Sequence, residues 1–186
     1  MIDTSDFKNG LSIIVDGEIY TIVEFQHVKP GKGPAFVRSK LKNVRNGATI
    51  EKTWRAGEKM EQAVLERRSM QFLYEMDGEY HLMDQETYDQ ISVGKEAFGE
   101  AVKYLTDHLE VMVMTHDGRV IGAELPTSVE LEVIETDPSE KGNTASGGSK
   151  PAKLETGAMV QVPFFIEVGE KIKVDTRTDQ YLERVK

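Results

Sequence analysis

Apolar and polar residues alternate in short runs along most of the chain, the period-2 pattern of half-buried strands. Strands are expected at Leu11–Val15, Glu18–Phe25, Ala35–Leu41, Thr49–Trp54, Met70–Met76, Glu79–Asp84, Val111–Thr115, Arg119–Leu125, Val129–Glu135, Met159–Glu167 and Lys171–Asp175. Three Asp-Gly pairs, Asp16-Gly17, Asp77-Gly78 and Asp117-Gly118, each sit between two such runs. Asp-Gly supplies the positive-φ residues of a two-residue hairpin turn, so three tight hairpins are expected. One segment departs from the period. In Lys95–Leu105, Phe98, Ala101, Val102 and Leu105 fall on one helical face and Glu96, Glu100 and Lys103 elsewhere, which predicts a short amphipathic helix. Glu58–Arg67 is ambiguous between strand and helix.

These elements group into three parts, 1–63, 64–126 and 127–186. The first is all strands and reads as a small SH3-like barrel. The second runs three strands, a helix and two strands, the order of an OB-fold. The third has a strand, a long polar loop at Thr136–Lys153, and further strands. That loop has the composition of a linker. Only 33 residues follow it, too few for a separate core, so it is read as a loop inside one small barrel. The expected fold is mostly β, with three small barrels in a row and one short helix in the middle.

Composition narrows the function by exclusion. Of the 186 residues 39% are hydrophobic and 30% charged, and no run approaches the roughly 18 apolar residues of a spanning helix. The N-terminus carries acids where a signal peptide needs basic residues, so a cytoplasmic protein with no membrane partner is expected. Cysteine is absent, which removes disulfides, thiolate nucleophiles and cysteine-zinc sites. His27, His81, His108 and His116 show no i,i+3 or i,i+4 pairing. No Gly-x-Ser-x-Gly elbow occurs, and Gly31-Lys32-Gly33 lacks the spacing and Ser/Thr of a phosphate loop. No catalytic site, metal or cofactor is expected, and the chain reads as a non-enzyme.

Charge changes that picture. The net charge is −9, which taken whole disfavours a nucleic-acid partner. By part, however, it is +2, −8 and −3. Within residues 27–55 of the first part Lys29, Lys32, Arg38, Lys40, Lys42, Arg45, Lys52 and Arg55 stand against one acid, Glu51. Binding of a polyanion depends on such a local excess, because charges beyond about 10 Å are screened at 0.1 M salt. The run fits a nucleic-acid patch and equally a solvated sheet face.

The most informative stretch is His27-Val28-Lys29-Pro30-Gly31-Lys32-Gly33-Pro34-Ala35-Phe36-Val37. Strand-like residues flank a centre that cannot continue a ladder, since Pro30 and Pro34 have no N–H to donate and the glycines permit positive φ. Lys32 therefore stands at a hairpin tip with no side chain beside it. A slim, stiffened finger can deliver one ammonium, with its three donors, into a crowded site. An ordinary Gly/Pro turn with an incidental lysine is the competing reading.

Pro30–Val37, followed by Arg38-Ser39-Lys40-Leu41-Lys42-Asn43, resembles the signature of bacterial elongation factor P. Lys171-Ile172-Lys173-Val174-Asp175-Thr176-Arg177-Thr178, continuing to Tyr181 and Arg184, resembles that family's C-terminal motif. Lys150–Ala158 and Val160-Gln161-Val162-Pro163 are similar to it as well. The resemblance implies an SH3-like, KOW-type domain and two OB-like domains. It implies a monomer that binds the 70S ribosome between the peptidyl and exit sites, beside peptidyl-tRNA, and relieves stalling at consecutive prolines. Lys32 is then the functional tip residue, in many members extended by a lysine-modifying enzyme, with Lys29, Pro30, Gly31, Gly33 and Pro34 forming its loop. Arg38, Lys40, Lys42, Arg45, Lys52 and Arg55 would contact RNA. Tyr181 and Arg184 match a motif that meets ribosomal RNA, although a core tyrosine also fits.

Two positions depart from the family pattern. Where many members have Gly-Asp-Thr in the loop nearing the exit-site codon, this chain has Gly142-Asn143-Thr144, which loses the charge. Pro34 follows the tip glycine where relatives vary, and stiffens the loop further. A general single-stranded RNA-binding module of OB and SH3-like barrels is the alternative reading; 14 aromatics in 186 residues and the −9 charge weigh against it.

Overall fold

The computed structural model describes residues 1–138 and 148–186. The chain divides into two compact units, Met1–Arg67 with Val113–Gly122, and Arg68–Met112 with Ala123–Lys186. The fold is mostly β, built on three sheets.

The first sheet contains β1 (Ile2–Asp3), β2 (Ser12–Val15), β3 (Glu18–Val28), β4 (Phe36–Asn43), β5 (Thr49–Arg55) and β6 (Lys59–Gln62), in the order β1-β6-β2-β3-β4-β5. This order forces curvature. In a flat sheet β5 and β6 would lie four strand spacings apart, about 19 Å. The residues from Arg55 to Lys59 reach about 14 Å at most. The sheet must therefore curl, and backbone bonds fasten the join: Ala56 N–H to the Ala35 carbonyl (3.2 Å) and Thr4 N–H to the Glu58 carbonyl (3.2 Å). Phe7, Leu11, Ile13, Ile22, Val37, Leu41, Trp54 and Met60 fill the interior. Phe7 meets the Trp54 ring edge-on at 5.7 Å. The buried Ser39 hydroxyl accepts from Trp54 Nε1 (2.8 Å) and donates to the Lys52 carbonyl (3.0 Å), so this polar group is satisfied on both sides.

The second sheet contains β7 (Glu66–Met76), β8 (Glu79–Asp84), β9 (Gln90–Gly94), β10 (Glu110–His116) and β11 (Arg119–Glu124), ordered β11-β10-β7-β8-β9. All three Asp-Gly pairs form the expected turns, with positive φ at both residues: 51° and 80° at Asp16-Gly17, 55° and 80° at Asp77-Gly78, 50° and 77° at Asp117-Gly118. The ambiguous Glu58–Arg67 segment is strand, forming β6 and the start of β7. The expected amphipathic helix is instead two 3-10 segments, Lys95–Ala97 and Gly99–Tyr104. Gly99 lies at φ +61°, which no α-helix accommodates, and Gly94 brings no capping side chain.

The third sheet contains β12 (Ser128–Thr136), β13 (Ser149–Leu154), β14 (Met159–Pro163), β15 (Lys171–Asp175) and β16 (Gln180–Arg184), ordered β14-β13-β12-β15-β16. The polar stretch read as a loop thus ends in a strand, β13, despite Pro151. Pairing of β13 with β12 runs from Leu154 only to Ala152, so Pro151 interrupts no bond to that neighbour. The predicted strand from Met159 stops at Pro163 and turns, returning Ile166 to the core. That core also takes in Tyr104, fully buried among Leu131, Leu154, Val162, Ile172 and Val174. Its hydroxyl donates to the Asp179 carboxylate, which Lys103 Nζ meets at 3.1 Å.

Candidate nucleic-acid interface

β3 and β4 pair up to Val28 and Phe36, and residues 29–35 form the loop between them. Lys29, Gly31, Lys32, Gly33 and Pro34 are exposed and Pro30 is half-buried. Gly33 has φ +102°, a conformation that disfavours any side chain. Gly31 does not, and a Cβ built on either glycine meets nothing within 4 Å. Lys32 makes no hydrogen bond or ion pair with any described residue. The loop therefore projects and is not folded back on its own barrel.

Cross-strand register sorts the basic run. Directly opposed residues of antiparallel strands share a face. On the outer face of β3, β4 and β5 the rows read Val28–Phe36–Arg55, Gln26–Arg38–Thr53, Glu24–Lys40–Glu51 and Thr21–Lys42–Thr49. Arg38, Lys40, Lys42 and Arg55 thus share one face, and Phe36 lies among them half-buried. Lys40 is flanked on both sides by carboxylates. Arg38 holds its guanidinium carbon 5.3 Å from the Phe36 ring centroid. Arg45 lies in the turn after β4 and is ion-paired to Glu18 at 2.7 Å. Lys52 opposes Ser39 on the opposite face, its Nζ 4.7 Å from the Trp54 ring. Glu24, Gln26, Arg38, Lys40, Glu51 and Thr53 line an open concavity of about 350 Å³.

Tyr181 is half-buried and packs against the third core, where burial pushes its hydroxyl pKa up. Arg184 is exposed, lies over the Phe165 ring at 5.4 Å and pairs with Glu170 at 3.1 Å. Gly142, Asn143 and Thr144 lie outside the described residues. Sequence reasoning counted Glu51 but missed Glu24, which faces Lys40 from β3 through a register that carries a bulge at Val23. Among the described residues no group of three or more His, Asp or Glu side chains could hold a metal ion, and no helix is long and apolar enough to cross a membrane.

Family models cover the chain almost end to end. The elongation factor P KOW-like domain matches residues 3–60, its OB domain residues 65–123 and its C-terminal domain residues 129–184. The chain belongs to the elongation factor P family. Elongation factor P of Pelotomaculum thermopropionicum is 60% identical over 185 residues, covering 100% of both chains. That of Moorella thermoacetica is 58% identical, covering 99% of this chain and 100% of its own. Membership makes the protein a translation elongation factor, with KOW-like and OB-like domains. Two solved structures share the fold over part of the chain. Eukaryotic translation initiation factor 5A from Methanococcus jannaschii superposes with a TM-score of 0.51 at 24% identity, covering 66% of this chain and 94% of its own. An initiation factor 5A family protein from Naegleria fowleri gives 0.54 at 17% identity, covering 67% and 96%.

Proposed function

We propose that this elongation factor binds the 70S ribosome as a monomer between the peptidyl and exit sites, and that it holds peptidyl-tRNA in a reactive pose at consecutive prolines. Its modules are bounded near residues 63 and 126. Lys32, extended by a modifying enzyme, steadies the 3′ end of the tRNA, while exposed cations of the first module contact RNA phosphates. Tyr181, Arg184 and the Gly142-Asn143-Thr144 stretch of sequence meet ribosomal RNA and the exit-site codon region.

The observation that carries this reading is Lys32: exposed, unpartnered and set between two glycines at the end of a proline-flanked loop. Such a group does nothing for its own fold and is available to a partner. Proline's ring restricts the geometry of peptide transfer, and a factor that only orients a reactant can lower a barrier without chemistry of its own. Orientation contributes about 7–11 kcal/mol in ideal cases, and a small part of that suffices here. In a purified translation system with a triple-proline template, Lys32→Ala lowers turnover on the proline run and leaves ribosome binding largely intact. Full activity of Lys32→Ala on that template refutes the assignment.

A further inference from the structure

We propose that Lys150 is a positioning residue: from inside the third barrel it fixes the point where the chain leaves β12, and thereby where Gly142-Asn143-Thr144 stand toward the exit-site codon region. This rests on the reading above for that stretch and goes beyond it, because Lys150 is buried and acts only through the chain it holds. Among the described residues it is the one buried lysine or arginine, 4% exposed. The alternation of β13 turns it inward with Ala152 and Leu154. It forms no ion pair with any described residue; its side-chain nitrogen donates to the Asp137 main-chain carbonyl.

Backbone pairing of β12 with β13 ends at Thr136 and Ala152. Pro151 has no N–H with which to extend it. Beyond that rung two side-chain bonds join the strands: Thr136 Oγ1 donates to the Pro151 carbonyl at 2.9 Å, and Lys150 to Asp137. β14 holds the other flank of β13, through the pairs Ser149–Pro163 and Lys150–Val162 and a 3.1 Å bond from the Ser149 hydroxyl to Gln161. The Phe164 ring packs so closely on Gly148 that a Cβ there would stand 2.6 Å from it. β13 is thus fixed from β14, and Lys150 carries that fixity across to Asp137, five residues before Gly142.

Such a bond is a poor way to stabilise a barrel. Burying a lysine nitrogen against one neutral carbonyl costs much of what the bond returns. A methionine fills the same space without that desolvation, and Asp137, being exposed, can turn its carbonyl to water. What methionine cannot do is hold Asp137. A segment whose ends are fixed has fewer arrangements to lose when it meets a partner, and each freed element lowers affinity.

The test uses the full chain on ribosomes translating a triple-proline template, and reads the half-saturating factor concentration, the maximal turnover and, on the free protein, the melting temperature. Lys150→Met should melt no lower than the parent, raise the half-saturating concentration about fivefold and keep the maximal turnover. Thr136→Val removes the neighbouring bond, keeps the shape and should raise that concentration about twofold. Lys153→Met, three residues along the same strand, should not. In a background carrying Gly142→Ala, Asn143→Ala and Thr144→Ala together, the Lys150→Met penalty should vanish, because the stretch it positions has lost its side-chain contacts. That background alone tests the reading beneath: if it matches the parent, that reading fails. The positioning role is overturned if Lys150→Met acts as the parent does at every concentration, if its penalty persists in the triple-alanine background, if Lys153→Met matches it, or if Lys150→Met melts several degrees lower.

Discussion

Replacing Tyr104 by Phe isolates one hydroxyl. The ring is fully buried in the third core and stays in place, so no cavity opens. What is lost is the bond from the hydroxyl to Asp179. A hydrogen bond to a charged partner contributes about 1.5–3 kcal/mol. Asp179 keeps Lys103 at 3.1 Å and its side chain is 49% exposed, so water takes up part of the vacancy and the lower end, about 1.5 kcal/mol, applies. The pH dependence identifies the cause. Burial first, and then the bond to Asp179, pushes the Tyr104 hydroxyl far above its ordinary pKa, so the folded state keeps a proton that the unfolded chain releases above about pH 10. The same bond is the largest of the causes that hold Asp179 below its ordinary range, with Lys103 adding to it, and that contribution disappears as pH falls through the lowered value. The parent-minus-variant difference in urea stability, followed by circular dichroism, should be level between about pH 5 and 9 and shrink at both ends. Trp54 fluorescence, which reads the other compact unit, should not respond. A difference absent at pH 7, or constant from pH 4 to 11, refutes the reasoning.

Two further predictions concern the first barrel. Ser39→Ala leaves the buried Trp54 N–H without an acceptor and should destabilise that barrel by about 1–3 kcal/mol, read by the fluorescence of the chain's one tryptophan during urea unfolding. Gly33→Ala forces a side chain into φ +102°, a strain of about 1–3 kcal/mol confined to the loop, whereas Gly31→Ala is unstrained and meets open space. Gly31→Ala should melt like the parent and Gly33→Ala a few degrees lower; turnover on the triple-proline template should fall for Gly33→Ala through a displaced tip, and a fall for Gly31→Ala would report crowding by the partner alone.

What the sequence made legible was whatever neighbours along the chain decide. Asp-Gly needs no tertiary help to turn, and all three pairs did so. A Lys between glycines and prolines is exposed because nothing local can cover it. The failures are non-local. Pro151 reads as a strand breaker until one knows that pairing with β12 has already ended at Ala152. The helical spacing of Phe98, Ala101, Val102 and Leu105 is genuine, but Gly99 at φ +61° breaks the coil into 3-10 turns while Tyr104 is drawn into another core. The charge of residues 27–55 fails for the same reason. A sum along the chain counts Lys40, Arg45 and Lys52 equally with Lys32, yet Lys40 stands opposite Glu24 and Glu51, Arg45 pairs with Glu18 and Lys52 lies over Trp54, all set by other strands. Strand pairing commits Arg45 to Glu18 and turns Lys52 to the other face, while Lys42 stays exposed between two threonines, so proximity in sequence does not decide which cations remain free.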